Sequence, residues 1–369
     1  MSTFTQVTPQ VSQKSRAEKL RTIRKIWPWF FLLAMVLVFM VLSKKINNVN
    51  FISSRSVQGI LVYATQILLI GMAETIIIIS GNGGIDLSVH YTLGLSAVIA
   101  AFIMRALYAA NVSPILTIGI GFLGGILICI IPGSVNGWLV SKLKVPPFIA
   151  TLGMGYVVYG LALVRAKGIQ IAEQPPYLGP IGNGSILYYW PSHGVSFFKV
   201  PADALPADLA HITPILPNVV LVALVVAVVI WFILAKTQFG QHIYAIGGNI
   251  QAATRAGIPV QSTLTRAYIL AAVLGGIAGV LWASRFTSGA ANAAETGLLM
   301  AVAAVVIGGT SMFGGEGTIV GTVIGALIIA TIQYGLVVLG MQPYWQYVAV
   351  GIVVIVAVIV DQLGRSMEH

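Results

Sequence analysis

Ten long apolar runs dominate this sequence, and they restrict it to a fold that spans a membrane. A helix needs about 20 mostly apolar residues to cross the hydrocarbon core of a bilayer. The runs lie at residues 26–43, 57–80, 88–110, 113–140, 147–166, 216–235, 264–286, 297–311, 316–339 and 345–361. Only 8% of the 369 residues are charged, against about 25% in a soluble domain, so the chain cannot cover a water-facing surface. We therefore expect an all-α, polytopic membrane protein with about ten transmembrane helices.

Basic residues ahead of the first apolar run indicate how the chain is oriented. They are Lys14, Arg16, Lys19, Arg21, Arg24 and Lys25. Because cationic segments beside a membrane span stay on the cytoplasmic side, we expect cytoplasmic N- and C-termini. The chain then divides into a basic cytoplasmic tail (1–25), a membrane domain (26–362) and a short cytoplasmic tail (363–369). The net charge of +10 is explained by this cationic segment, either as a cytoplasmic anchor of the first span or as a basic helix lying on anionic lipid. Nucleic acid is not needed as a partner.

The longest connection between the runs is residues 167–215, which falls outside in this topology. It is rich in Pro, Gly and aromatic residues, and such long insertions are usually functional or mobile. The segment is consistent with a docking surface, with a gate, or with a simple hairpin between two spans that carries extra residues. Residues 186–190 within it are expected to form a short strand or a re-entrant piece.

The connection at residues 236–263 falls inside and predicts a short capped helix at 250–256. Asn249 is the N-cap candidate, Gly257 follows the last turn, and Pro259 prevents continuation. A helix this short is marginal by itself and needs a partner surface. Its two caps favour a docking element over a connector that merely lies on the membrane.

A glycine-rich break with one acid, SGNGGIDLSV at residues 80–89, separates the second and third runs. Asp86 or Ser88 is placed to cap the third helix by accepting from its free N–H groups. Alternatively, the break lines a cavity where its backbone and Asp86 meet a polar solute, and the two interpretations can coexist. Glu74, about two helical turns before the break, is either a site residue or a hydrogen-bonded contact between helices.

A second break has the same character. Residues 305–317 read VVIGGTSMFGGEG, with Glu316 among five glycines, and an apolar helix follows. The eighth run, which leads into this break, is short and predicts a broken or tilted helix inside the protein. The likeness of the two breaks suggests an internal duplication of the kind found in transporters, with glycine bias alone as the alternative.

Sequence motifs for common chemistries are missing. The chain has no GxxxxGK[ST] phosphate loop, no HExxH zinc motif and no GxSxG nucleophile elbow. Its single cysteine, Cys129, lies in an apolar run, where we expect a buried small hydrophobic residue. One cysteine forms neither a disulfide within the chain nor a metal site. We therefore expect neither enzyme activity nor a metal or cofactor in this chain.

Four segments resemble a known family. They are GGIDLSV (83–89), GQHIYAIGGNIQAATRAGI (240–258), AVAAVVIGGTSMFGGEGTIVGTVIGALI (301–328) and QYVAVGIVVIVAVIVD (346–361). In this order they resemble the membrane permease subunits of ribose/xylose/galactose-type bacterial ABC importers, a carbohydrate uptake family. The resemblance covers most of the chain from residue 55 onward. His90 departs from it, because the family pattern GGIDLSVG ends in glycine at that position.

The resemblance implies a multi-pass protein of the bacterial inner membrane that moves a monosaccharide or polyol by alternating access. Its partners would be an ABC ATPase that binds ATP and Mg²⁺, a periplasmic sugar-binding protein, membrane lipid and a second permease copy, most simply in a homodimer. The helix at 250–256 would be the coupling helix that docks on the ATPase. The coupling residues carried over from the family motif are Gly247, Gly248, Asn249, Arg255 and Gly257.

Substrate contacts are expected from polar and aromatic residues in or near the spans, since sugars need hydrogen-bonding groups and flat aromatic faces. The candidates for the substrate path are Gln66, Glu74, Asn82, Asp86, His90, Asn136 and Trp282. The alternative function is an ion-coupled secondary transporter of a small polar solute, which would share the broken helices and buried acids. Glu74, Asp86 and Glu316 would then be the coupling candidates.

Overall fold

The computed structural model describes residues 10–81, 84–190, 194–197, 212–293, 297–342, 344–349, 351–352 and 355, with side chains from residue 26 onward. The helices are α1 (Gln10–Asn47), α2 (Ser54–Ile79), α3 (Val89–Ala109), α4 (Pro114–Leu127), α5 (Ile130–Ser141), α6 (Pro147–Ala166), α7 (Leu178–Asn183), α8 (Asn218–Lys236), α9 (Gln238–Gly248), α10 (Ile250–Arg255), α11 (Val260–Phe286), α12 (Gly297–Ile307) and α13 (Ile319–Val338). The strands are β1 (Ser185–Trp190), β2 (Gly194–Phe197) and β3 (Thr213–Pro217).

The helices confirm the predicted polytopic α-helical class. Within the described residues, eight stretches are helical, long and apolar enough to cross a membrane, and they match eight of the ten predicted runs to within a few residues. The eighth run holds only α12, which has 11 residues. Most of the tenth run, 345–361, and the tail at 363–369 lie outside the described residues. α1 begins at Gln10, so the second half of the basic tail is helical and continues directly into the first span.

The fourth predicted run is interrupted at a proline. α4 ends at Leu127 and α5 begins at Ile130. Pro132 has no N–H to donate, and inside a continuous helix its ring would clash with the carbonyl of Ile128. Cys129 lies at this interruption and is fully buried, with its Sγ 3.2 Å from the Gly125 carbonyl oxygen. The expectation of a buried cysteine is confirmed.

Three helices, α2, α11 and α13, form the centre of the molecule. In their most apolar stretches 83%, 72% and 78% of the residues are buried, against 17% in α1. Small residues allow the close approach on which helix packing in membranes depends. A Cβ on Gly133 of α5, for example, would lie 2.8 Å from the Tyr268 carbonyl oxygen of α11. The peripheral helices leave apolar side chains exposed, as expected for surfaces that meet lipid or another membrane protein.

The 167–215 segment contains α7 and an antiparallel sheet in the order β2-β1-β3. β1 confirms the strand predicted at 186–190, while residues 191–193 and 198–211 lie outside the described part. The Asn183 amide donates to the Arg285 carbonyl oxygen at 2.8 Å, so α7 packs at the C-terminal end of α11. α10 immediately precedes the other end of α11. Since α11 has 27 residues, the sheet and α10 are about 40 Å apart along its axis.

Candidate functional site

The short helix α10 is capped at both ends, as the sequence predicts. Asn249 has extended backbone (φ −162°), and its Oδ1 accepts the Ala252 N–H at 2.9 Å. Gly257 adopts the left-handed conformation (φ 80°), and its N–H donates to the Thr254 carbonyl oxygen at 3.0 Å. The helix ends at Arg255, one residue earlier than expected, because Ala256 is already the C-cap.

One side of α10 is anchored and the rest faces outward. Ala253 is its single buried residue, and it packs in a small apolar cluster with Ile246 and Leu264. Ile250 is 43% exposed, and Arg255 is exposed as well. Isolated helices of one or two turns are unstable in water, so the caps and this anchor hold α10 in place. α10 is therefore a preformed helix on the protein surface, with the apolar side chain of Ile250 and the cationic side chain of Arg255 available to a partner.

The five predicted coupling residues do not share one environment. Gly248, Asn249, Arg255 and Gly257 are exposed. Gly247 instead faces inward, where a Cβ would overlap the Ile79 carbonyl oxygen at the end of α2. Four of the residues are therefore accessible to a docking partner, whereas Gly247 contacts the membrane domain itself.

The first glycine break, residues 80–88, holds a buried polar cluster that links α2, α5 and the start of α3. Glu74, Asp86 and Asn136 are each 0% exposed. The Asp86 N–H donates to Glu74 Oε2 at 3.2 Å, and Asp86 Oδ1 accepts from the Ser88 N–H at 2.9 Å and from its hydroxyl at 2.6 Å. The Asn136 amide donates to Ser88 Oγ at 2.8 Å. Three of the predicted path residues thus lie in one hydrogen-bonded network.

This network corrects the expected capping of α3. Ser88 occupies the N-cap position, but its side chain makes no hydrogen bond to the first turn. The Ser88 oxygen accepts from the Asn136 amide instead, while its hydroxyl donates to Asp86 Oδ1. Thr151 of α6 adds a further link that the sequence did not reveal, since it accepts from the Leu87 N–H and donates to the Ile85 carbonyl, both at 3.1 Å.

Acceptor oxygens outnumber donors in the cluster. Glu74 Oε1, Asp86 Oδ2 and Asn136 Oδ1 are buried and have no hydrogen-bond partner among the described residues. Ionised carboxylates can only accept hydrogen bonds, whereas a protonated carboxyl also donates one. Leaving buried polar groups unpaired is costly, so the surplus of acceptors favours carboxyl groups that retain protons.

Two other path candidates meet at a different place. Gln66 of α2 and Trp282 of α11 line a small cavity together with Arg285 and Phe286. Its volume is about 20 Å³, enough for roughly one water molecule and far too small for a sugar. Gln66 lies eight residues before Glu74, or about 12 Å along α2. Five of the seven predicted path residues therefore form two separate groups, Gln66 with Trp282 and Glu74 with Asp86 and Asn136.

The remaining two candidates are His90 and Asn82. His90 is 8% exposed, its ring lies 3.8 Å from that of Tyr91, and its Nδ1 lacks a partner among the residues described. Asn82 lies outside the described residues. Arg285, which the sequence analysis did not select, sits 5.7 Å from the ring of Tyr63 and 5.3 Å from that of Phe286. The sequence did contain a signal for Arg285, because an arginine next to an aromatic residue inside a predicted span is a candidate functional residue.

The second glycine break, residues 308–318, lies against the first. The Gly315 N–H donates to the Ile79 carbonyl oxygen at 2.9 Å. Its acid, Glu316, is exposed, in contrast to the buried Asp86. The two breaks are adjacent in space, but their acids have different surroundings.

Comparison with known proteins identifies the family. Residues 56–358 match the family described as "Branched-chain amino acid transport system / permease component". A ribose import permease protein of Bacillus subtilis (strain 168) is 35% identical over 92% of this chain and 93% of its own length. A D-allose transport system permease protein of Escherichia coli (strain K12) is 33% identical over 90% of each chain. An L-arabinose ABC transporter permease protein of Azospirillum brasilense is 30% identical over 93% of this chain and 91% of its own.

No solved structure matches the chain. The relatives confirm the resemblance found in the sequence motifs, and they favour an ABC importer over an ion-coupled carrier. The eight apolar helices agree with a multi-pass protein of the bacterial inner membrane. The chain belongs to the family of ABC importer permease components.

Proposed function

We propose that this chain is the translocating subunit of an ATP-driven importer of a monosaccharide or polyol. The observation that carries the proposal is α10, an exposed helix with a side-chain cap at its start and a left-handed glycine after its end. A carrier driven by an ion gradient has no need of such a docking element. The sugar names of the relatives support the substrate class, since these proteins align with this chain over about nine-tenths of its length.

The partners follow from the same proposal. An ABC ATPase with bound ATP and Mg²⁺ would engage α10, and ATP hydrolysis would belong to that subunit, with neither a cofactor nor enzyme activity in this chain. A periplasmic binding protein would deliver the substrate at the end that carries the sheet. A second copy of this chain, within membrane lipid, would complete the pore as a homodimer.

The proposed mechanism starts at the α10 surface. When the ATPase subunits close, they would push α10 toward the membrane domain, and the spans would rock between outward-open and inward-open arrangements. The polar cluster around Asp86 and the cavity beside Trp282 each include a residue of the central helix α2, Glu74 in the cluster and Gln66 in the cavity. Both groups would therefore move during this rocking, and the narrow cavity would have to widen before a sugar passes.

The family description names branched-chain amino acids, which makes them the second substrate class to test. Proteoliposomes would contain this chain with the ATPase and binding protein encoded beside its gene. Uptake of labelled ribose, xylose, galactose, a polyol and leucine would be compared with and without ATP. We expect ATP-dependent uptake of a sugar or polyol only when both partners are present. Uptake of leucine, or uptake by this chain alone under an ion gradient, would contradict the proposal.

Variants of α10 test its role in the same assay. Asn249→Ala removes the cap at a cost of about 1 kcal/mol to the helix, and Arg255→Ala removes the exposed cation. We expect both to lower ATP-driven uptake while the chain still inserts in the membrane. Tyr189→Ala, at an exposed position of β1, is the matched control for ATPase association and should leave that association unchanged. Normal uptake and normal ATPase association in both α10 variants would place the dock elsewhere.

A further inference from the structure

Three glycine-containing segments meet where α2, α9 and the second glycine break come together. The segments are residues 79–81 at the end of α2, residues 247–248 at the end of α9 and residues 314–317 in the second break. We call this meeting point the glycine junction. Gly247 is only three residues before Ile250, the first residue of α10, with Gly248 and Asn249 between.

The contacts in the junction are between backbones. A Cβ on Gly81 would lie 2.8 Å from the Gly247 Cα. A Cβ on Gly314 would lie 3.0 Å from the Gly247 carbonyl oxygen, and one on Gly247 would lie 2.6 Å from the Gly315 nitrogen. Real Cβ contacts do not fall below about 3 Å in close-packed interiors. The three segments can therefore approach this closely only because glycine carries a hydrogen atom in place of a side chain.

Two hydrogen bonds fasten the junction. The Gly315 N–H donates to the Ile79 carbonyl oxygen at 2.9 Å, which ties the second break to the end of α2. The Tyr244 hydroxyl donates to the Gly317 carbonyl oxygen at 2.8 Å, which ties α9 to the second break. Gly81, Gly314 and Gly315 all have positive φ angles, between 74° and 91°. These conformations favour glycine, so packing and backbone conformation require the same residue type.

We propose that the glycine junction transmits the movement of α10 to both glycine breaks at once. This inference rests on the proposed function, in which α10 receives the push from the ATPase. Packed backbone has no side-chain rotamers that could absorb a displacement, and tightly packed interiors transmit strain. A shift of α9 by a fraction of an ångström must therefore displace the end of α2 and the second break. Gly247 acts as a positioning residue for transport, rather than as a contact to the ATPase.

A glycine on the surface of α4 provides the matched control for Gly247. Gly247→Ala would force α9 away from α2, while Gly119→Ala meets no described atom within 4 Å of its Cβ. Three quantities would be measured in proteoliposomes: uptake, ATP hydrolysis and association with the ATPase. We expect Gly247→Ala to lower uptake on the order of tenfold, a change equivalent to about 1.4 kcal/mol, with ATPase association retained. Gly119→Ala should remain within about twofold of wild type, since its added methyl group makes no contact with a described residue.

A milder variant keeps the test valid if Gly247→Ala fails to fold. Tyr244→Phe deletes only the hydroxyl that donates to Gly317, and it should lower the substrate transported per ATP. Tyr334→Phe is its control, because the Tyr334 hydroxyl lies near the Arg55 carbonyl oxygen (3.5 Å) at the other end of the bundle. Normal coupling in Tyr244→Phe, or loss of ATPase association in Gly247→Ala, would overturn the inference. Wild-type protein without any ATP-driven uptake would instead reject the proposed function.

Discussion

The two glycine breaks look alike in sequence but differ in what their acids do. In the first break Asp86 is 0% exposed and holds Ser88, which in turn binds Asn136 of α5. In the second break Glu316 is exposed, and the backbone of the loop makes the contacts to α2 and α9. A glycine turn with one acid can therefore serve either as a side-chain anchor or as a backbone contact surface. Likeness of composition did not distinguish these roles.

The largest predicted difference between the breaks comes from removing each acid. Asp86→Ala would leave the Ser88 N–H and hydroxyl buried without an acceptor, and we expect it to lower the free energy of unfolding by about 3 kcal/mol. Glu316→Ala should cost about 1 kcal/mol or less, because the contacts of an exposed carboxylate contribute little in water. Unfolding of the purified variants by a denaturing detergent would measure both. Equal losses would show that the two acids have equivalent roles.

A second difference concerns glycines with positive φ. Gly81 (φ 84°) lies in the junction, whereas Gly309 (φ 88°) has no described atom within 4 Å of an added Cβ. An alanine at either position lowers the free energy of unfolding by roughly 1 kcal/mol, because the left-handed conformation is unfavourable for it. Gly81→Ala adds an overlap with Gly247, which lowers the free energy of unfolding by about 1–3 kcal/mol more. The same unfolding titration should therefore rank Gly81→Ala below Gly309→Ala in stability. The reverse order would contradict the close packing of the junction.

The smallest predicted effect sharpens the description of the first break. If Glu74 retains a proton, Glu74→Gln replaces a neutral carboxyl group by a carboxamide of similar shape, and both groups can donate and accept a hydrogen bond. The change in the free energy of unfolding should then stay below about 1 kcal/mol. Glu74→Leu, which cannot accept from the Asp86 N–H, is the comparison and should be clearly less stable. A glutamine variant as unstable as the leucine variant would show that the cluster requires a charged Glu74.

Local rules in the sequence predicted local structure well. Eight of the ten predicted apolar runs match helices long enough to cross a membrane in the described residues. Asn249, Gly257 and Pro259 predicted both ends of α10, because capping depends on neighbours within a few residues. The sequence could also have predicted the interruption before Pro132. All these features need only the chemistry of a single helix and its flanks.

Contacts between distant segments could not be predicted in the same way. Nothing near Glu74 indicates that its partner is the backbone of Asp86 or that Asn136 joins them, since helical periodicity does not say which helices are neighbours. Gly247 was grouped with the exposed residues of its motif, yet it faces the end of α2. The path candidates Gln66 and Trp282 do line one cavity. Glu74, which belongs to the polar cluster around Asp86, lies about 12 Å further along α2.

Crosslinking of α10 to the ATPase subunit would test its docking role most directly. Cys129 is the single cysteine and is fully buried, so an introduced cysteine can be modified selectively. Arg255→Cys would be paired with Tyr189→Cys, which is exposed on the sheet at the opposite end of α11. We predict a crosslink to the ATPase from position 255, dependent on ATP, and none from position 189. A 255 variant that stays uncrosslinked in a complex that transports, or equal crosslinking at both positions, would contradict docking through α10.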